Sequence, residues 1–248
     1  MTNKHSLIVV MPVYNEQEAI AAVLKKWVSV LMSIPFEQGW QIHVYDDGSK
    51  DHTAEILAAC TKCYPGKVIV HEKSNSGHGP TVLQGYRENT PKAEWLFQVD
   101  SDDEMGPEEF PVLWEHRRDF DFLAGYRIGR KQNCSRKIIT LVSRTCIRLL
   151  YGKTIRDVNV PYRLMKTKVF SDIYNMIPHN TFAPNVIIAG LAAKQKIPFF
   201  EMDVRQQERR TGTVSIRSWK LWKSAAKAFF QTCRMALANH HSTSKNDL

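Results

Sequence analysis

The residues best suited to chemistry in this chain are the carboxylates that follow the apolar run Trp95-Leu96-Phe97. Asp100 and Asp102 stand two residues apart in the stretch Gln-Val-Asp-Ser-Asp-Asp-Glu. Carboxylates crowded at the end of a buried strand repel one another unless a cation neutralises them. Mg²⁺ and Mn²⁺ prefer such oxygen ligands. The spacing therefore predicts a divalent metal site, although Asp-x-Asp also occurs in ordinary solvated acidic turns.

The first half of the chain alternates strand-like and helix-like patterns, which favours a mostly parallel sheet with helices on both faces. The predicted strands are 7–11, 41–45, 67–71 and 94–99, and the predicted helices are 16–32, 51–63 and 79–88, with Ser49 or Asp51 as N-cap of the second. Ligands of open parallel sheets bind beyond the carboxyl ends of the strands. Polar clusters follow all of these strands: Tyr14-Asn15-Glu16, Asp46-Asp47, 73–79 and 100–102. We therefore expect one site at this edge.

The second half of the chain is less regular. We expect a strand at 120–124, a basic loop at 125–136, a basic amphipathic helix at 137–151, a short strand at 162–165, helices at 167–176 and 185–194, a strand at 198–204 and a last helix at 217–237. Repeats and low-complexity linkers are absent from the sequence.

Composition narrows the class of protein. The 248 residues carry a formal net charge of +9, which suggests an anionic partner such as membrane lipid, a phosphate substrate or nucleic acid. Five cysteines include Cys60 and Cys63, but no second pair follows at zinc spacing, so free thiols are expected. No run reaches the roughly 20 apolar residues that span a bilayer. We expect a cytoplasmic protein, or one that is peripheral on the cytoplasmic membrane face.

Four motifs in order carry a family resemblance: Pro12-Val13-Tyr14-Asn15-Glu16, Asp46-Asp47-Gly48-Ser49-Lys50-Asp51, Asn75-Ser76-Gly77 and Gln98-Val99-Asp100-Ser101-Asp102. Together they resemble the family-two glycosyltransferases with the GT-A fold. The resemblance implies an α/β fold of GT-A type, with a mostly parallel central sheet flanked by helices and a Rossmann-like nucleotide-binding half. It also implies a UDP- or GDP-sugar donor and usually inversion at the anomeric carbon.

The resemblance assigns roles at the donor site. Pro12 and Tyr14 would form a wall for the base, and Asp46 or Asp47 would accept hydrogen bonds from the base or ribose, with capping as the alternative for Asp46. Asp100 and Asp102 would hold Mg²⁺ or Mn²⁺ against the leaving diphosphate. The expected donor-binding residues are Pro12, Tyr14, Glu16, Asp46, Asp47, Lys73, Asn75, Gly77, Asp100, Ser101 and Arg209.

The second half is similar to the polyprenyl-phosphate subgroup, the dolichol-phosphate mannose synthase-like enzymes. There a basic loop and the following helix receive the acceptor phosphate, for which the planar arginine fork is suited. The corresponding residues here are Arg127, Arg130, Arg136 and Ser143. A phosphate acceptor needs no base, whereas a hydroxyl does. Asp157 is the fallback base, with an ion pair to Arg156 or Arg163 as its alternative, so the predicted catalytic residues are Asp157, Arg127 and Arg136.

We expect a GT-A domain over 1–215, with a nucleotide-sugar half at 1–105 and an acceptor half at 106–215. Residues 216–238 form a predicted amphipathic basic helix whose tryptophans suit a membrane interface, or equally a core or homodimer contact. Residues 239–248 are predicted to be a disordered tail.

The leading hypothesis is an inverting, metal-dependent glycosyltransferase acting on a polyprenyl phosphate or another membrane lipid. The alternative acceptor is a saccharide or other hydroxyl in cell-envelope glycan synthesis. A nucleic-acid-binding protein is disfavoured because acidic pairs at the strand ends would repel a phosphate backbone. A non-catalytic membrane adaptor is disfavoured by the intact Asp100/Asp102 pair. The identity of the transferred sugar and of the donor nucleobase, uracil or guanine, stays open.

Overall fold

The computed structural model describes residues 4–129, 145, 148–152, 155–207 and 229–236. The strands are β1 (His5–Val13), β2 (Trp40–Asp46), β3 (Val68–Glu72), β4 (Ala93–Gln98), β5 (Phe122–Ile128), β6 (Arg163–Lys166) and β7 (Phe199–Arg205). The helices are α1 (Ile20–Ser33), α2 (Thr53–Cys63), α3 (His78–Asn89), α4 (Phe110–Glu115), α5 (Thr167–Met176) and α6 (Pro184–Lys194), with a short 3-10 turn at His116–Arg118.

All seven strands form one sheet in the order β3-β2-β1-β4-β6-β5-β7. β1 runs parallel to β2 and β4, β2 to β3, and β5 to β7, whereas β6 is antiparallel to both of its neighbours. The mostly parallel sheet predicted from the sequence is therefore confirmed. Val13 pairs with Asp46, and Asp46 with Glu72, so the first three strands end at the same edge.

The core explains why β1 is central. From Leu7 to Val13 its apolar side chains are buried, as expected for a strand covered by helices on both faces. Trp27 of α1 is buried against this sheet, with its ring 5.3 Å from Phe97 of β4 and 5.8 Å from Phe110 of α4. These aromatic contacts fix α1 and α4 beside the end of β4.

The predicted elements match with shifted ends, but several details were wrong. α1 begins at Ile20 because residues 14–19 form a loop in which Asn15 has a φ of 54°. His52 precedes α2 without a side-chain cap, and Asp51 Oδ1 accepts a hydrogen bond from the Thr53 amide at 3.0 Å, so Asp51 rather than Ser49 makes the capping contact. α4 was not predicted. β5 continues to Ile128, which places Arg127 on a strand rather than in the predicted basic loop.

Two predicted helices lie largely outside the described residues, which include only 145 and 148–151 of the first and 229–236 of the last, all helical. The predicted disordered tail at 239–248 also lies outside the described residues. The boundary between the two predicted halves at 105 and the end of the GT-A domain at 215 stay predictions. Among the residues that the structure describes, no helix has the length and apolar character needed to cross a membrane.

Candidate active site

The loops after β1 and β2 are joined by hydrogen bonds. The Asn15 amide donates to Ser49 Oγ at 3.0 Å, and the Lys50 amide donates to Asn15 Oδ1 at 2.8 Å. Glu16 is buried, with its amide donating to Thr53 Oγ1 at 2.9 Å. Tyr14 is 39% exposed whereas Pro12 is buried within β1, so Tyr14 supplies the accessible surface of the predicted base-binding wall.

Asp46 shapes the turn that follows β2. Its side chain is buried, and Oδ1 accepts hydrogen bonds from the Ser49 amide at 3.0 Å and from Ser49 Oγ at 2.6 Å. The Asp46 carboxylate thus organises the backbone of the turn and does not cap α2, which begins only at Thr53, so the helix-capping alternative for Asp46 was wrong.

Asp47 binds the loop that follows β3. Lys73 Nζ forms an ion pair with Asp47 Oδ1, and the amides of Ser76 and Gly77 donate to the two carboxylate oxygens at 2.8 and 2.7 Å. Asn75 Nδ2 donates to the Asp47 carbonyl at 2.8 Å. Burial raises the pKa of Asp47, but the hydrogen bonds from Lys73 and from these amides outweigh it and lower the pKa overall. Four predicted donor-site residues, Asp47, Lys73, Asn75 and Gly77, thus form one cluster.

Asp100 is in the loop after β4 and contacts the first residue of α3, His78. Its Oδ1 accepts hydrogen bonds from His78 Nε2 at 2.9 Å and from Gln98 Nε2 at 3.3 Å. Desolvation lowers the pKa of His78, but Asp100, followed by Asp102 and Asp47, raises it overall. Gly77 donates to Asp47 and the next residue, His78, donates to Asp100, so predicted donor-site residues after β2, β3 and β4 lie together.

The neighbouring acidic residues are engaged elsewhere. Asp103, at a φ of 57°, forms an ion pair with Lys26 Nζ at 2.6 Å. Glu104 binds the Gln206 side chain, and its carbonyl accepts from the Gln207 amide at 2.8 Å. Ser101 is buried. Asp103 and Glu104 therefore hold the loop onto α1 and onto the segment after β7, and Asp102 Oδ1 accepts a hydrogen bond from the Glu104 amide at 3.2 Å.

The Asp100 and Asp102 carboxylates suit a divalent cation by their chemistry. Within the described part of the chain, both hydrogen bonds to Asp100 end on Oδ1, so Oδ2 is available to a ligand. No group of three or more His, Cys, Asp or Glu residues positioned to hold a metal occurs among the described residues. Mg²⁺ in particular is commonly bound by one or two carboxylates together with substrate phosphates and water, and Asp100 with Asp102 fits that donor set.

On the acceptor side, Arg127 and Asp157 form a bidentate ion pair. Arg127 Nε lies 2.6 Å from Asp157 Oδ2, Nη2 lies 3.0 Å from Oδ1, and both side chains are 12% exposed. The sequence-based alternative named the wrong partners for Asp157. Arg156 instead contacts Glu201 at 3.6 Å and Asp203 at 3.5 Å, and Arg163 is buried among backbone carbonyls. The predicted residues Arg130, Arg136, Ser143 and Arg209 lie outside the described residues.

Sequence reasoning gave no role to several polar residues next to the site, namely Gln98, His78, Tyr86 and Asn185. Gln98 carried a detectable signal, because a glutamine directly after the apolar stretch Trp95-Leu96-Phe97 must be hydrogen-bonded if it is buried. The contributions of Tyr86 and Asn185 depend on tertiary packing.

Comparison with known proteins agrees with this geometry. The family described as Glycosyl transferase family 2 matches residues 8–180. The chain belongs to glycosyl transferase family 2. The undecaprenyl-phosphate 4-deoxy-4-formamido-L-arabinose transferase of Pectobacterium carotovorum subsp. carotovorum is 28% identical over 216 residues, covering 86% of this chain and 63% of that protein. The Serratia proteamaculans protein of the same name is 27% identical over the same length. The chain thus spans less than two thirds of these relatives.

Solved structures show the same fold at low sequence identity. Glucosyl-3-phosphoglycerate synthase from Mycobacterium tuberculosis, in complex with phosphoglyceric acid, has a TM-score of 0.68 at 12% identity, over 94% of this chain and 80% of that chain. Its complex with Mn²⁺, UDP-glucose and phosphoglyceric acid has a TM-score of 0.66. The GT-A architecture predicted from the sequence is confirmed.

The ion pair of Asp47 predicts a pH-dependent contribution to stability. In Asp47→Asn an amide nitrogen must face either the Lys73 ammonium or a backbone N–H, so we expect the free energy of unfolding to fall by on the order of 3 kcal/mol near pH 7. Because the pKa is lowered on folding, this stabilisation is present above the ordinary value of 3.8 and is lost as the pH falls through the folded-state pKa.

Urea unfolding of wild type and Asp47→Asn across this pH range measures the effect. Exposed Glu18→Gln, which also neutralises one carboxylate, is the control and should change little. Equal stabilities of wild type and Asp47→Asn near neutral pH would contradict the assignment.

Proposed function

We propose that this chain is an inverting, metal-dependent glycosyltransferase that transfers a sugar from a nucleoside-diphosphate sugar to a polyprenyl phosphate. The observation that carries the proposal is the meeting of Asp100 with the loop bound by Asp47 at the carboxyl edge of the sheet, where Gly77 donates to Asp47 and the next residue, His78, donates to Asp100. The relatives' names, which specify undecaprenyl phosphate, support a lipid phosphate as acceptor.

The donor site is divided between recognition and charge compensation. The loop bound by Asp47 presents backbone and amide groups for the nucleotide, and Tyr14 offers an exposed ring for the base. A Mg²⁺ or Mn²⁺ ion bound by Asp100 and Asp102 would neutralise the charge that develops on the leaving diphosphate. UDP is the first nucleotide to test because the structural relative was solved with UDP-glucose, and GDP is the second.

The proposed donor site predicts that metal-dependent nucleotide binding requires Asp102 and does not require the neighbouring Asp103. With Mn²⁺ present, we expect Asp102→Asn to lose at least about tenfold in affinity for UDP or GDP, a difference of about 1.4 kcal/mol. Asp103→Asn, which removes the same charge from a side chain bound to Lys26 and tolerates the positive φ, should bind as wild type does.

Isothermal titration calorimetry with each nucleotide, with and without Mn²⁺, measures these affinities. Failure of wild type to bind either nucleotide in the presence of metal would sink the transferase proposal. Equal losses in the two variants would assign the effect to the shape of the loop rather than to a metal ligand.

At the acceptor site, Arg127 would bind the acceptor phosphate, and Asp157 would orient the Arg127 guanidinium group. Both oxygens of Asp157 accept hydrogen bonds from Arg127, so a base role would require this pair to open. A phosphate oxygen is already anionic and attacks the anomeric carbon without a base, while the bond from that carbon to the diphosphate breaks. Arg130, Arg136 and Ser143 are proposed to complete this acceptor site.

The two acceptor chemistries predict different kinetics for Asp157→Asn. If Asp157 orients Arg127, both Asp157→Asn and Arg127→Lys should raise the KM for undecaprenyl phosphate by about tenfold or more, because the guanidinium fork is no longer held for bidentate binding of the phosphate. Nucleotide affinity should stay unchanged in both variants. If Asp157 is the base for a saccharide hydroxyl, Asp157→Asn should instead lose kcat at an unchanged KM. Steady-state assays with undecaprenyl phosphate and with saccharide acceptors distinguish the two outcomes.

We also propose that the protein lies on the cytoplasmic face of an anionic membrane. The net charge of +9 and two exposed apolar side chains, Leu149 (81% exposed) and Phe230 (71% exposed), support this. Their helical segments are in contact, since Tyr151 Oη donates to the Thr232 carbonyl at 2.8 Å.

Vesicle co-sedimentation tests the membrane proposal. We expect binding to vesicles that contain phosphatidylglycerol, weaker binding to pure phosphatidylcholine, and a several-fold loss in Phe230→Ser. Met32→Ser is the control, because Met32 on α1 is equally exposed at 71%. Equal losses in both variants, or no sedimentation, would refute it. Light scattering on the same samples reports whether the protein is a homodimer.

A further inference from the structure

Gln98 connects a candidate metal ligand to the interior of the protein. It is the last residue of β4 and is fully buried. Its Oε1 accepts hydrogen bonds from Tyr86 Oη at 2.6 Å and from Asn185 Nδ2 at 2.7 Å. Its Nε2 donates to Asp100 Oδ1 at 3.3 Å. Both ends of one amide are therefore used, one toward the core and the other toward the site.

The chemistry of these groups fixes which way the amide points. An ionised carboxylate only accepts hydrogen bonds, so Gln98 must turn its NH₂ group toward Asp100. Its oxygen then faces the core, where it needs donors, and the Tyr86 hydroxyl and the Asn185 NH₂ group supply them. The reverse orientation would set Oε1 against a carboxylate and the NH₂ group against the donor of Asn185, which would leave buried polar groups unpaired.

The donors to Gln98 are themselves held in place. Asn185 is the second residue of α6, and its carbonyl accepts a hydrogen bond from Arg163 Nη1 at 3.0 Å. Arg163 is fully buried and also donates to the carbonyls of Val160 at 2.9 Å and Val158 at 3.1 Å. Tyr86 is fully buried and stacks on Tyr174 with ring centroids 4.9 Å apart. The orientation of the Gln98 amide is thus set by α3, which directly precedes β4, and by α6, whose Asn185 is 87 positions from Gln98.

We propose that Gln98 is a positioning residue that orients the Asp100 carboxylate for metal-dependent nucleotide binding, and that Tyr86 and Asn185 orient Gln98. The inference rests on the proposed function, because it concerns how Asp100 is presented to the metal and the diphosphate. A carboxylate whose Oδ1 is restrained by Gln98 and His78 loses less rotational freedom when Oδ2 takes a ligand, and such preorganisation raises affinity.

The test compares two tyrosines that lie against each other in the core. Tyr86→Phe removes the hydroxyl that contacts two acceptors, Gln98 Oε1 at 2.6 Å and Asn185 Oδ1 at 3.1 Å, whereas Tyr174→Phe removes a hydroxyl whose partner is Met165 Sδ at 3.4 Å. Gln98→Met, of similar length but without the amide, removes the donor to Asp100 directly. Each is titrated with the nucleotide that wild type binds, with and without Mn²⁺, and its thermal unfolding is recorded.

We expect Gln98→Met to lose on the order of tenfold in nucleotide affinity with Mn²⁺, and Tyr86→Phe to lose several-fold, the order that other metal-site supporting residues show. Affinity without metal should stay unchanged in both, and Tyr174→Phe should bind as wild type does. Tyr86→Phe keeps the ring in place, so it tests the proposal even if Gln98→Met does not fold.

The outcomes separate the two proposals. If wild type binds no nucleotide, the proposed function fails and the inference falls with it. If wild type binds in a metal-dependent manner and Tyr86→Phe and Gln98→Met lose only thermal stability, the network is purely structural and the inference alone is overturned.

Discussion

The compensation of negative charge at one edge of the sheet is the constraint on which the site depends. Parallel strands place Asp46, Asp47 and the acidic stretch after β4 at the same edge, where like charges repel unless each has a partner. Asp46 is satisfied by Ser49, Asp47 by Lys73 and backbone amides, and Asp103 by Lys26. Asp100 differs, because its partners are an amide and an imidazole. The proposed cation at Asp100 and Asp102 would add to this compensation, whereas Asp46, Asp47 and Asp103 hold loops in place.

These commitments also explain the backbone of the loops. The Gly77 amide reaches the Asp47 carboxylate from a residue with a φ of 94°, a conformation that costs a side-chain-bearing residue energy. α3 begins one residue later, so the same turn fixes where His78 stands relative to Asp100. A single carboxylate after β2 thereby determines the start of a helix that covers β4.

Much of the nucleotide-binding half could be predicted because its information is local. Apolar runs mark β1 to β4, and polar residues directly after them mark the site, since parallel strands must bring those ends together. The rest required tertiary contacts. The alternative to a base role for Asp157 was an ion pair with Arg156 or Arg163, which are near in sequence, yet its partner Arg127 lies thirty positions away on β5. α4, with six residues after Gly106-Pro107, is too short to show a helical period.

The loop that carries Asp100 and the segment that carries Asp157 are joined through the interior of the protein. β4, which ends at Gln98, pairs antiparallel with β6, where Gln98 lies opposite Arg163. Arg163 holds the carbonyl of Val158, the residue after Asp157, and also holds Asn185, which in turn binds Gln98. A continuous series of hydrogen bonds thus runs from beside Asp157 to Asp100. In the proposed reaction the acceptor phosphate and the leaving diphosphate must stay in line, and such a displacement loses rate steeply when either shifts. This series of hydrogen bonds is fully buried at Gln98 and Arg163. Neither the segment that carries Asp157 nor Asp100 can therefore shift without breaking buried hydrogen bonds, so the core sets their relative placement.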